Sequence, residues 1–279
     1  MYRLCLLVLC LLLSSVAWAD PVVEVLGTAR QGNPIFVTVT GVDEGTTGEV
    51  QWDGRTFELS PADHEGRLRT VLAVPVEMKA GLHRLVLDLG NYHHLSKFIT
   101  VSSRWFPTQD ITLPASTLAG YDTPRNKADD QKIIAELENF DPRQRWQGSF
   151  SYPVRAREST GFGDRRLYNG WKTGWHKGLD LAAADGAPIH APANGIVLLA
   201  TRGLVNGNTL VLQHGLGLGT VYLHMSSFKV HVGDTVRKGQ IIGYVGGTGG
   251  FAPHLHWEAR VNGVPIDPHA LLELPAAWQ

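Results

Sequence analysis

Cysteine is nearly absent. The chain has two in 279 residues, Cys5 and Cys10, both within its first ten positions. Once that stretch is removed, no disulfide or free thiol remains, so stability must rest on core packing and any metal on nitrogen and oxygen ligands. Neither sign of charge dominates: 25 Lys and Arg stand against 26 Asp and Glu, a formal net charge of -1, with no long run of like charge. That removes the electrostatic reason to expect nucleic acid or an anionic membrane surface as partner. Long apolar runs are missing too. The run from Leu4 to Leu13 is shorter than the roughly 20 residues of a membrane-spanning helix, and no later stretch is longer, so no transmembrane segment is expected.

The opening "MYRLCLLVLCLLLSSVAWAD" has Arg3 in a short basic start, the apolar run, and small residues Ala17 and Ala19 spaced as a signal-peptidase site. Residues 1–19 therefore read as a signal peptide cleaved near Ala19, and the mature chain as exported, periplasmic or secreted. A lipoprotein reading fails because Leu9 precedes Cys10 where a small residue is needed.

The fold class reads as mainly all-β. From Val22 to Val101, seven short alternating segments ("VVEVLG", "IFVTVTG", "EVQWDG", "TFELS", "RLRTVLAVPV", "HRLVLDLG", "SKFITV") are divided by Gly, Asp and Pro turns. That spacing predicts an N-terminal Ig-like β-sandwich over 20–103. Residues 104–147 break the pattern and read as a linker with one helix, "KADDQKIIAELENF", with Ile133, Ile134 and Leu137 on one face and Asp129 and Asp130 near its N-terminal end. Gly-punctuated strands resume over 148–279, and eight of the twelve histidines lie beyond residue 170.

Two stretches there place histidine as if to hold something. In "HLHWE", His254 and His256 are two apart, so on a strand they share a face with Glu258, while Leu255 and Trp257 face the other way. In "HKGLDLA", Gly178 and the alternation around Asp180 predict a turn entering a strand, with His176 and Asp180 close together. Alone, the first is a half-buried strand carrying two histidines and the second a solvated turn. Together, two imidazoles and a carboxylate form a set that Zn²⁺ accepts with a fourth position left for water. His224 ends the apolar strand "TVYLHMSS" and gains weight only from that company. The N-terminal histidines His64, His83, His93 and His94 lack such spacing and read as surface or turn residues.

The ordered motifs "GFGDRR" (161–166), "HKGLDLAAADGAPIHAPANGIV" (176–197), "GNTLVLQHGLGLGTVYLHMS" (207–226), "VGDTVRKGQIIGYVGGTG" (232–249) and "HLHWE" resemble the M23 zinc endopeptidases of the LytM or lysostaphin type. The resemblance covers the C-terminal half. It implies an antiparallel β-sheet peptidase domain with an open groove, one Zn²⁺ per chain held by His176, Asp180 and His256, and His224 and His254 as catalytic histidines beside it. It also implies hydrolysis of cross-links or stem peptides of bacterial peptidoglycan by a zinc-activated water. His254 is assigned to proton handling and His224 to the oxyanion, roles that the sequence leaves exchangeable. Ala252 stands where the family usually has Gly before the Pro, which bears on substrate fit rather than on metal.

Two other classes compete. A catalytically silent peptidoglycan adaptor, or activator of another hydrolase, shares the fold. "APANGIV" with "VGDTVRKGQIIGYV" also resembles a biotinyl or lipoyl hammerhead, but "EMK" (77–79) lies in the wrong domain. A wall-lytic enzyme needs restraint, so contact of the N-terminal domain with the groove is a further expectation.

Overall fold

Apolar residues at alternate positions make each N-terminal segment a strand with one face to bury. The computed structural model describes residues 20–90, 92–170 and 172–279, the side chains of 92–94 and 172–173 excepted. The signal-peptide reading of 1–19, with both cysteines, and the side chains of His93 and His94 lie outside the described residues.

All seven expected strands form: β1 (Val22–Leu26), β2 (Pro34–Thr40), β3 (Glu49–Trp52), β4 (Arg55–Glu58), β5 (Leu68–Ala73), β6 (Gly81–Leu89) and β7 (Tyr92–Val101). They make two sheets, β1-β2-β5 and β4-β3-β6-β7. Between them lie Ile35, Val37, Val39, Val50, Leu85 and Leu87. Trp52 is buried there, and its indole N–H donates to the Ala73 carbonyl at 2.7 Å. β2 is buried on both faces. Phe36 points out of the sandwich, with Val71 and Ala73 of β5, into a second core shared with Trp146, Phe150 and Trp278. The outer face of the smaller sheet is thus covered by the C-terminal half.

Residues 104–147 hold more structure than one helix. β8 (Thr108–Ile111) is followed by α1 (Ala115–Tyr121) and α2 (Pro124–Glu138). Proline at the first turn and Thr123, whose side chain accepts from Asn126 N at 3.1 Å, start α2 earlier than its acidic pair suggests. Asp129 and Asp130 fall in the second turn and accept from Leu204 N (2.9 Å) and the Asn206 amide (2.8 Å). Ile133 and Leu137 pack on Val211, Val221 and Leu223. This segment joins the C-terminal sheet instead of merely bridging two units.

The remaining strands are β9 (Arg157–Thr160), β10 (Arg165–Tyr168), β11 (Lys172–Trp175), β12 (Leu179–Ala182), β13 (Pro188–His190), β14 (Gly195–Arg202), β15 (Asn208–Gly215), β16 (Leu218–Met225), β17 (Ser227–Phe228), β18 (Thr235–Val236), β19 (Ile241–Tyr244), β20 (Leu255–Val261) and β21 (Val264–Ile266). The main sheet runs β18-β14-β15-β16-β20-β12-β9, with β21 paired to β20. Every pairing is antiparallel except β8 with β10. Leu255 and Trp257 of β20 enter the core with Leu179, Leu181 and Ile242, as their alternation predicts.

His214 of β15 is fully buried; its Nδ1 lies 2.7 Å from the Asn194 carbonyl and its Nε2 2.8 Å from Thr220 Oγ1. Burial pushes the imidazole down to about 4 from 6.5. The unfolded chain therefore takes up the proton first, so stability is full above about pH 6.5 and drains as pH falls towards 4, by on the order of 3 kcal/mol. Urea unfolding of wild type and His214→Gln should show the variant less stable at pH 7 and the two values converging by pH 4.5.

Candidate metal centre

Strand register assembles the site. β12 against β20 sets Asp180 opposite His256, and β20 against β16 sets His256 opposite Leu223, one residue before His224. His176 lies in the turn between β11 and β12, tied by its backbone N–H to Asp164 O (2.9 Å) and by its carbonyl to Gly163 N (2.8 Å). "GFGD" is thus the clamp of that turn. Gly178 has no room for a side chain, because a Cβ would press into the Trp257 carbonyl.

Three donor atoms converge. His176 Nε2 is 2.9 Å from Asp180 Oδ1 and 2.9 Å from His256 Nδ1, which is itself 2.8 Å from Asp180 Oδ1. All three residues are buried, and among the described residues they form the one such cluster of His, Asp or Glu ligand atoms. Each residue's other polar atom is occupied. His176 Nδ1 donates to Gly161 O (2.6 Å), Asp180 Oδ2 accepts from Arg166 (2.7 Å), and His256 Nε2 faces Glu258 Oε1 (3.0 Å). Burial alone would raise the Asp180 carboxyl, but the two histidines against it hold it well below the usual range. Burial likewise brings His176 down to about 4, Asp180 notwithstanding.

His224 and His254 stand beside this cluster with ring centroids 4.8 Å apart, and His224 is 6.2 Å from His256. Each anchors Nδ1 on a backbone carbonyl, Thr248 at 2.9 Å and Ala252 at 2.8 Å, which leaves Nε2 as the ring atom for the site, that of His254 lying 3.7 Å from Asp180 Oδ1. His224 has φ +62, a left-handed conformation costly for a residue with a Cβ. Burial, with the nearby charge of His256 and His254, pushes it down to about 3.

The five residues line one groove of about 340 Å³. It is also lined by Ile111, Leu113, Tyr121 and Asn126 of the 104–147 segment, where the sequence suggested the sandwich. Within the sandwich, Val76 and Glu77 line a smaller cavity next to His176 and Trp175. Arg166 and Arg260, which also line the groove, received no role from the sequence. The alternation after "HLHWE" could have pointed to Arg260. Arg166 reaches Asp180 only through tertiary packing.

Residues 174–268 match the family model described as Peptidase family M23. The match marks a domain that resembles peptidase family M23. The chain is 41% identical over 118 residues to the DD-carboxypeptidase/endopeptidase Mpg of Neisseria meningitidis, spanning 41% of this chain and 27% of the relative. It is 40% identical over 125 residues to the peptidoglycan DD-endopeptidase ShyC of Vibrio cholerae, spanning 43% of this chain and 28% of that protein. The chain thus covers about a quarter of these relatives' length. A Pseudomonas aeruginosa crystal structure described as a candidate M23 peptidase aligns with a TM-score of 0.67 at 25% identity, over 88% of this chain and 96% of its own. The likeness to that structure therefore extends beyond the M23 domain.

Gly178→Ala should force β12 away from β20. The expected loss is about 1–3 kcal/mol in urea unfolding, whereas Gly186→Ala, where a Cβ meets nothing within 4 Å but φ is +75, reports the backbone cost alone.

Proposed function

We propose that this chain is a zinc metalloendopeptidase that hydrolyses peptide cross-links or stem peptides of bacterial peptidoglycan, in the periplasm or outside the cell. The observation that carries the reading is the donor set: His176 Nε2, Asp180 Oδ1 and His256 Nδ1 lie within 2.9 Å of one another, each with its residue's second polar atom already engaged. Two imidazoles and a carboxylate, with a solvent-accessible groove in front, suit a catalytic zinc that keeps a place for water. The relatives' names supply the substrate class, and the leader-like start of the chain supplies the compartment.

Zinc bound there would supply Lewis acidity, acidifying a water and polarising the scissile carbonyl. His254, with Nδ1–H tied to Ala252, presents the Nε2 lone pair to the groove; it takes the attacking water's proton and passes it to the leaving amine. His224 is neutral in the free protein. As the oxyanion develops, its charge offsets the burial that otherwise keeps the ring neutral, so His224 takes a proton from solvent at Nε2, hydrogen-bonds the oxyanion through it, and returns the proton to solvent when the tetrahedral species collapses. No glutamate is required as base, and Glu258 is not free to act as one, since both its oxygens are engaged.

Elemental analysis should find one zinc per chain, and His176→Ala and Asp180→Ala should each lose it. His224→Ala and His254→Ala should keep zinc and lose on the order of a hundredfold or more in rate, read by mass spectrometry of fragments released from purified wall. A zinc-replete wild type that releases none would leave the silent-adaptor reading standing.

The 104–147 segment restrains access to the groove in this reading, because Ile111 and Leu113 line the groove together with the histidines. Cutting the chain near Gln147 is a poor test, since it would bare Val211, Val221 and Leu223. Ile111→Ala with Leu113→Ala should instead raise the cleavage of soluble stem peptides. An unchanged rate on soluble peptide, with poorer action on intact wall, would assign the segment to targeting.

A further inference from the structure

Positions 256, 258 and 260 of β20 share one face, and His256, Glu258 and Arg260 are all buried there. Glu258 bridges its neighbours. Its Oε2 accepts from Arg260 Nε at 2.6 Å, its Oε1 lies 3.0 Å from His256 Nε2, and Arg260 also donates through Nη1 to the Gly263 carbonyl at 3.1 Å. Every polarity in this row is determined. A guanidinium can only donate, and an ionised carboxylate can only accept. The buried guanidinium of Arg260, 2.6 Å away on the same face, pairs with Glu258 as a carboxylate. His256 therefore carries a proton on Nε2, so that in the neutral ring the lone pair is on Nδ1, facing His176 Nε2 and Asp180 Oδ1.

We infer that Glu258, locked by Arg260, is a positioning residue that sets the tautomer and ring orientation of His256 and so presents Nδ1 as a metal ligand. This rests on the zinc reading proposed above. The alternative is a buried ion pair that only steadies β20. The two differ because a purely structural pair is indifferent to which nitrogen of His256 holds the proton. A carboxylate behind a ligating imidazole raises ligand basicity and fixes its direction, and losing one typically weakens metal binding tenfold to a hundredfold.

Glu258→Gln separates the readings. An amide offers one oxygen where the carboxylate offers two, and Arg260 cannot accept, so it claims that oxygen and turns the NH₂ group to His256 Nε2. The proton of His256 is then driven to Nδ1, the ligand atom. Zinc competition against a chromogenic chelator should show Glu258→Gln binding at least about tenfold more weakly than wild type. Glu258→Gln with Arg260→Met frees the amide oxygen for His256 and should recover most of the affinity. In ¹⁵N spectra of the zinc-loaded wild type, His256 should be protonated at Nε2.

Wild-type affinity in Glu258→Gln, a double variant no tighter than the single one, or a proton on Nδ1 would each overturn the inference. A wild-type spectrum with the proton on Nδ1 overturns the inference even if neither variant folds. A wild type that takes up no zinc would defeat the zinc reading and this inference with it. Zinc-binding wild type beside unaffected variants would defeat this inference alone.

Discussion

The antiparallel pairing of β12 with β20 is the contact on which the rest of the site depends. It sets Asp180 opposite His256 and, through Gly178, lets the turn carrying His176 close against the Trp257 backbone. Because both strands bury Leu179, Leu181, Leu255 and Trp257 on the opposite face, a slip of one residue would send the polar set into the core. The hydrophobic core thus enforces the geometry of the polar site, and the two cannot be adjusted independently.

Charge is balanced in layers around that pairing. Asp180 and Glu258 are each backed by a guanidinium, Arg166 and Arg260, at 2.7 and 2.6 Å. A buried carboxylate without such a partner would take up a proton instead of ionising. Both arginines approach from outside the ligand cluster, so the carboxylate oxygens turned towards the histidines stay unprotonated. His224 and His254 use backbone carbonyls for the same orienting purpose, which costs no further buried charge.

Much of this was legible in sequence where the relevant period is short. The two-residue period of "HLHWE" put His254, His256 and Glu258 on one face and Leu255 and Trp257 on the other, as β20 has them from Leu255 onward, with His254 one residue before it. The seven strands of the sandwich follow from alternation and turn residues. What was not legible came from contacts between distant segments. "PIFVTV" is nearly continuous in burial because Phe36 meets Trp278, at a ring distance of 5.1 Å, and no local pattern announces that partner. The 104–147 segment read as a linker because its apolar stripe is short and its turns many. Its helices are held by Val211, Val221 and Leu223, residues that sit on strands far along the chain.

The shared core around Trp278 also bears on how fast the molecule can be made. Phe36 packs tilted against that one indole at 5.1 Å and Trp146 stacks on it at 6.4 Å, so the sandwich cannot cover the outer face of its smaller sheet until the C-terminal region has arrived. Contacts joining such distant positions come late, after the entropy of a very large loop has been spent. Until then Phe36, Val71 and Ala73 form an uncovered apolar strip on a β-sheet, a surface to which other unfinished chains can add. The yield of folded protein should therefore be limited by concentration during refolding well before it is limited by the stability of either half.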